Sequence, residues 1–333
     1  MSPVVITFLL LIVGVILLLW AGDWLVRGAA SLARKWGVPA LIVGLTIVAF
    51  GTSAPELVVS VQAVLRGASE LAIGNVIGSN VANVLLVLGA PALVLAIPTN
   101  VSGVARNSAI AVFATLILIL LMFMHNPLLR WQGAVLFLGI IIYLAWMFSL
   151  AKSGADDPAL ADMVEIDEMS GMPDNMAVIA GFILFGLFGL AAGGHLIVEN
   201  ATAIAREFDV SEAVIGLTIV AIGTSLPELA TVVVAAYRGQ TDMAIGNVLG
   251  SNVFNIFAVL GAAALAGNVD IPKQIYLFDT WVMLVSIVAL TVFVLRRAPI
   301  GRKTGFVFLV GYFLYMGAQA AISNSAVGAG LPA

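Results

Sequence analysis

A chain of 333 residues that is 62% hydrophobic and only 10% charged cannot clothe a soluble domain of that size in a polar surface, so most of it is built for lipid. Its apolar runs do not alternate with polar residues as barrel strands do, which leaves membrane-spanning helices. The absence of cysteine excludes disulfides, thiolate catalysis and Cys-ligated metals, while a net charge of −4 says less than the division of Lys and Arg among loops.

A hydrocarbon core of about 30 Å takes roughly 20 helical residues. Ten runs meet that requirement: 4–33, 40–65, 71–97, 105–124, 130–151, 176–205, 213–237, 243–267, 276–295 and 304–323. The first has no basic leader region and exceeds signal-peptide length, so it is read as a retained span. Asp23 with Arg27, and Glu199 in the sixth run, take the place of interfacial anchors. His125 reads as a loop-end residue and His195 as one satisfied by a neighbouring helix.

The second run carries GTSAPE and the third GNVIGSNVAN; the seventh and eighth carry GTSLPE and GNVLGSNVFN. Gly44–Ala90 and Gly216–Ala262 align without a gap, 172 positions apart, with 30 of 47 residues identical. The chain is thus a duplication, and the copies agree most closely in polar residues that a lipid-facing helix excludes. Between the halves, Asp156, Asp157, Asp162, Glu165, Asp167, Glu168 and Asp174, with Pro158 and Pro173, mark a solvated acidic linker. It lacks the spacing of an EF-hand loop. The expected organisation is a first five-helix repeat at 1–151, the linker at 152–175 and a second repeat at 176–333.

Five spans per half send the second copy into the membrane from the opposite face, so the repeats are inverted. With the N-terminus outside, Arg27, Arg34, Lys35, Arg106, Lys152, Arg238, Arg296, Arg297, Arg302 and Lys303 fall inside, against Arg66, Arg130, Arg206 and Lys273 outside. This bias puts both termini outside and the linker in the cytoplasm of a multi-pass cell-membrane protein.

Pro55 and Pro227 lack an amide hydrogen and clash with the preceding turn, so each is expected to interrupt its helix at membrane depth. Freed carbonyls there need protein, water or a cation. Beside the breaks lie Thr52, Ser53 and Glu56, or Thr224, Ser225 and Glu228; the partner helices add Ser79, Asn80 and Asn83, or Ser251, Asn252 and Asn255. Ser79 and Asn83 share a helix face, as do Ser251 and Asn255. All are hard oxygen donors, numerous enough for the six to eight ligands of calcium. Neither histidine lies in the repeated motifs, which argues against zinc or copper. Two buried carboxylates need compensation, which one divalent ion or several monovalent ions supply; mutual exclusion of those loads is the physical basis of antiport. The glycine pairs Gly74/Gly78 and Gly246/Gly250 are read as close-packing sites.

At these motifs the sequence resembles the calcium/cation antiporter superfamily, its sodium/calcium exchanger branch in particular, over essentially the whole chain. The resemblance implies an all-α protein of ten transmembrane helices in two inverted repeats, with broken helices 2, 3, 7 and 8 forming the ion site. It implies that Glu56 and Glu228 coordinate calcium with the main-chain carbonyls of Thr52 and Thr224. Flanking sodium sites would use the carbonyls of Ala49 and Ala221 with Ser53, Ser225, Ser79 and Ser251, and Asn83 near the centre. Some members of the branch carry aspartate where this chain has Asn255, so this site has one acidic position fewer. The implied function is calcium/sodium antiport by alternating access. Proton- or potassium-coupled calcium antiport, and a cation channel, stand as alternatives. No nucleotide loop, catalytic base beside a serine or HExxH motif points to a pump or an enzyme. The expected partners are calcium, sodium and the lipid bilayer, with no cofactor, nucleic acid or obligate protein partner.

Overall fold

The computed structural model describes residues 3–153, 172–207 and 221–328. Its helices are α1 Pro3–Trp36, α2 Ala40–Thr52, α3 Ala54–Leu65, α4 Ser69–Ala92, α5 Val104–Met124 and α6 Arg130–Ser153. They continue as α7 Met176–Glu207, α8 Ala221–Thr224, α9 Leu226–Tyr237, α10 Thr241–Ala266, α11 Ile275–Leu295 and α12 Arg302–Gly328. Among the described residues eight helices are long and apolar enough to cross a bilayer, and the bent pair α2–α3 makes a ninth. The protein is an all-helical membrane protein. The expected span 213–237 is represented only by α8 and α9, because residues 213–220 lie outside the described residues, as do the linker acids Asp156 to Glu168.

Polarity and burial run opposite to their order in a soluble protein. The most apolar windows of α4 and α10 have a mean hydropathy of 1.8 and are 72% and 89% buried; that of α1 has 2.8 and is 22% buried. The helices that carry the asparagines and serines are therefore shielded from lipid by more apolar neighbours.

Outermost, α1 and α7 pack antiparallel along a glycine seam. A Cβ on Gly28 would lie 2.9 Å from Ile183 Cγ1, one on Gly186 2.8 Å from Leu25 Cβ and one on Gly193 2.9 Å from the Leu18 nitrogen. Only small residues allow backbones this close. The same logic applies where α10 crosses α2: a Cβ on Gly250 would meet the Leu45 carbonyl oxygen at 2.5 Å and one on Gly246 the Leu41 carbonyl at 2.8 Å. For Gly74 and Gly78 the segment that the repeat places opposite, 213–217, lies outside the described residues.

Loops gather at two ends. At one end Ile97 pairs with Ile300, Arg302 Nε donates to the Leu93 carbonyl, and Thr99 Oγ1 donates to the carbonyls of Phe293 and Ala298. At the other, Leu128 pairs with Val269, Ser69 Oγ donates to Asp270 Oδ2 and Asn126 exchanges bonds with Ile271. The last acid of the linker, Asp174, accepts from Arg34 at 2.5 Å and, through its carbonyl, from Lys35 at 2.7 Å, which ties the entry of α7 to the end of α1.

Of the four helices expected to be broken, two show a sharp break. A break is present between α2 and α3, bent by 42°, and between α8 and α9 at Ser225. By contrast α4 and α10 show no bend of that kind; they widen into π-helical segments at Asn83–Val87 and Asn255–Leu260, and α4 passes through a turn at Leu88 before its last residues. Neither GSNxxN motif contains proline, so no amide is missing there, and an i→i+5 turn absorbs the distortion.

Candidate cation site

GTSxPE works as a stop-and-start signal. Ser53 leaves the helical region at φ −88°, ψ 4°, and Ser225 does so almost identically at φ −90°, ψ 5°. Pro55 and Pro227 then fall at the start of α3 and α9, where the amide they lack would have had no helical acceptor. The ladder resumes with Leu57 N–H donating to Ser53 O at 3.2 Å and Leu229 N–H to Ser225 O at 3.0 Å. Glu56 and Glu228 consequently occupy the first turns of new half-helices, the end at which the backbone dipole favours an anion.

Ser53 and Glu56 have the spacing of a capping box, yet Ser53 makes no cap bond. Its hydroxyl donates across the molecule to Glu228 Oε1 at 3.3 Å, joining the two halves. Both glutamates are 1% exposed, and both oxygens of Glu56 and Oε2 of Glu228 lack any hydrogen-bond partner. Three orphaned carboxylate oxygens are costly in a buried site and call for cations.

The asparagines surround this pair reciprocally. Asn83 Nδ2 donates to Asn252 Oδ1 at 3.1 Å, and Asn255 Nδ2 donates to Asn80 Oδ1 at 3.2 Å. In both donors the Oδ1 atom is buried and unpaired. The π segment begun by Asn255 packs against α3, which holds Glu56, and the one begun by Asn83 packs against α9, which holds Glu228.

Thr52 Oγ1 lies 3.4 Å from the Ala49 carbonyl and 3.3 Å from Asn247 Oδ1, which also accepts from Ser251 Oγ at 3.5 Å. The Ala49 carbonyl further accepts Ser53 N–H at 3.0 Å, so a sodium ion there would have to displace the Thr52 contact. Ser79, Ser251 and Ser225 are buried, Ser225 with an unpaired hydroxyl oxygen. Thr224 is half-buried at the end of α8, and Ala221 begins that helix. The residues singled out in the sequence therefore flank two breaks and two π segments.

Residues that sequence reasoning passed over also contribute. Asn247 organises Thr52 and Ser251, and its Nδ2 is buried without a partner. Asn75 Nδ2 donates to Ser60 Oγ at 3.0 Å and to the Glu56 carbonyl at 3.5 Å. Their signal was present, because both belong to the GNV tripeptide that is identical in the two copies. The donor set consists of carboxylate, hydroxyl, amide and carbonyl oxygens, the chemistry that suits hard cations such as calcium and sodium.

The chain is similar to known proteins. The chain is 34% identical over 314 residues to the inner membrane protein YrbG of Escherichia coli, covering 92% of this chain and 94% of that protein. It is 30% identical over 344 residues to the sodium/calcium exchanger MaX1 of Methanosarcina acetivorans, covering 94% and 98%. A solved structure of the sodium-calcium exchanger NCX_Mj, soaked with zero sodium and calcium, superposes with a TM-score of 0.80 at 30% identity, over 95% of this chain and 99% of that one. The model of the family described as sodium/calcium exchanger protein matches twice, at residues 6–149 and 178–321. Since that model recognises each half separately, over the segments that hold Glu56 and Glu228, the chain belongs to the sodium/calcium exchanger family.

Proposed function

We propose that the protein is a secondary active antiporter that exchanges calcium for sodium across the cell membrane by alternating access. The observation that carries this reading is the pair of buried glutamates, one from each half, linked through Ser53 and left with three unpaired carboxylate oxygens. One calcium ion neutralises both carboxylates, and sodium ions compete for the same oxygens, so the two loads exclude one another. On this reading Thr52, Thr224, Ala49 and Ala221 contribute carbonyls, Ser53, Ser225, Ser79 and Ser251 hydroxyls, and Asn83 and Asn255 amide oxygens. The protein is then a transporter rather than an enzyme, and needs no resident cofactor or obligate protein partner.

The topology that goes with it is ten spans in two inverted repeats, 1–151 and 176–333, joined by a cytoplasmic acidic linker at 152–175, with both termini outside. Two observations support it. The loops assigned to each face meet one another at one end of the bundle, and the linker residue Asp174 bonds Arg34 and Lys35 on the side given to the cytoplasm. The exposed α1–α7 pair, held together along its glycine seam, is suited to move as one unit over the broken helices and uncover the site from alternate sides.

A gradient swap tests the reading. Proteoliposomes loaded with sodium should accumulate radioactive calcium against its gradient, and collapsing the sodium gradient should stop them. Uptake driven by a proton or potassium gradient and indifferent to sodium would replace the counter-ion. Flux down the calcium gradient alone, without counter-transport, would mean a channel.

A further inference from the structure

An amide side chain can meet a cation with its oxygen or with its NH2 group, and the second is repulsive. Which end is offered depends on what holds the other. Asn80 is anchored independently of any cation: its Nδ2 donates to the Asn252 carbonyl at 3.3 Å and contacts Met283 Sδ at 3.6 Å. With its amide fixed in that sense, Asn80 Oδ1 can only accept, and it accepts Asn255 Nδ2 at 3.2 Å. Asn255 is then obliged to turn its own Oδ1 away from Asn80, and that atom is buried with no partner. The same relation recurs on the other side of the repeat, where Asn252 Oδ1 takes Asn83 Nδ2 and Asn83 Oδ1 is left unpaired. All four asparagines are 3% exposed or less, so these amide–amide bonds are shielded from bulk solvent.

Resting on the cation-site reading above, we propose that Asn80 and Asn252 are positioning residues: by accepting from the amides of Asn255 and Asn83, they hold the oxygens of those side chains toward the cation. Neither acts as a ligand. They cross-link the halves, each asparagine governing one in the opposite repeat, so that both ends of the site are set in the same orientation. Partners of this kind, one step removed from the metal, typically govern metal affinity by about 10- to 100-fold.

The test is calorimetric titration of calcium into purified protein in sodium-free buffer, for wild type, Asn80→Leu, Asn80→Asp, Asn255→Ala and the double variant Asn80→Leu/Asn255→Ala. Asn80→Leu releases the Asn255 amide and should weaken calcium binding by about tenfold or more. Asn80→Asp loses the bond to the Asn252 carbonyl but still accepts from Asn255 Nδ2, so it should bind calcium more tightly than Asn255→Ala, which keeps the test decisive if Asn80→Leu does not fold. Once Asn255 is alanine there is no amide to orient, so Asn80→Leu should add less than about a twofold loss, the non-additivity expected of residues acting through one another. An unchanged affinity in Asn80→Leu, an affinity in Asn80→Asp no better than in Asn255→Ala, or a full additional loss in the double variant would overturn the positioning role. Wild-type protein that binds no calcium at all would overturn the functional reading itself, which separates the two failures.

Discussion

Around the glutamates the asparagines of the two halves answer each other: Asn83 bonds Asn252 and Asn255 bonds Asn80, a pattern that the 172-residue shift maps onto itself. Along the outer helices they diverge. Asp23 on α1 accepts from Arg27 at 2.8 Å and from Arg238 at the end of α9 at 2.6 Å, with all three side chains between 15% and 25% exposed. The positions related to these by the repeat are His195, Glu199 and Arg66. His195 and Glu199 approach each other at 3.4 Å but are 77% and 67% exposed, and Arg66 lies exposed with no ion pair among the described residues. Both α1 and α7 lean on α9, and neither packs comparably on α3. The duplication has kept its oxygens alike and its outer charges unlike, so one end of the bundle is latched while the related contact stands open. A site meant to bind from either side needs the first property, and a protein that rests facing one side needs the second.

The largest expected effect tests the central likeness. Glu56→Gln and Glu228→Gln should each reduce sodium-driven calcium uptake to background; survival of transport in either would mean that the halves do not share one site. The two should still differ in stability without ions. Glu56 has two unpaired oxygens, whereas Glu228 has one satisfied by Ser53, so Glu56→Gln should raise the melting temperature of ion-free protein more than Glu228→Gln does. Calcium should reverse that order in favour of wild type. Next in size is a steric contrast at the breaks. A Cβ on Gly223 would fall 2.1 Å from Val198 Cγ2 and one on Gly51 2.3 Å from Leu187 Cδ2, both on α7. Leucine can change rotamer, but a helical valine has one strongly preferred χ1. Gly223→Ala should therefore cost about 1–3 kcal/mol of stability, as overpacking does, and Gly51→Ala clearly less. Equal melting temperatures would show that α7 moves as a body to accommodate both.

Much of this was legible in the sequence because a membrane leaves few options. Among the described residues eight long apolar helices and the bent pair α2–α3 follow the expected runs, and the break at GTSAPE falls within a residue or two of Pro55, since a missing amide is a covalent fact visible in the letters. The π segments were not legible. Nothing in NVLLV or NIFAVL departs from an ordinary apolar helix; the widening depends on how α4 and α10 pack, which is tertiary information. Asn80 and Asn252 were visible as polar residues in the motif, but an asparagine read alone is both donor and acceptor, and only its bonded partner reveals which end faces the cation. Asp23 was read as an interfacial anchor beside Arg27; the helical spacing of those two was plain, whereas the contact with Arg238, 215 residues away, required the fold.

The smallest effect bears on the latch. Arg238 lines a cleft of about 570 Å³ with Asp23, Arg27, Ile16, Leu19 and Trp20, and its bond to Asp23 is partly shielded from water. On the alternating-access reading, Arg238→Gln removes that tie from one orientation only. If the tie contributes about 1 kcal/mol, the range found for coupled neighbours, the balance between orientations shifts roughly fivefold. The apparent calcium affinity measured from the two faces of oriented proteoliposomes should then change in opposite senses. Glu199→Gln supplies the reciprocal case. In the present orientation it deletes only an exposed pair with His195, which stabilises a helix by a few tenths of a kcal/mol at most, so the melting temperature should not move. Should Glu199 meet Arg66 once α7 has slid, the same substitution penalises the opposite orientation, and the two affinities should shift in the reverse direction to those of Arg238→Gln. Shifts of the same sign in both variants would show that the outer charges act on the bundle as a whole, and that the unlikeness of the two edges is not what sets the resting side.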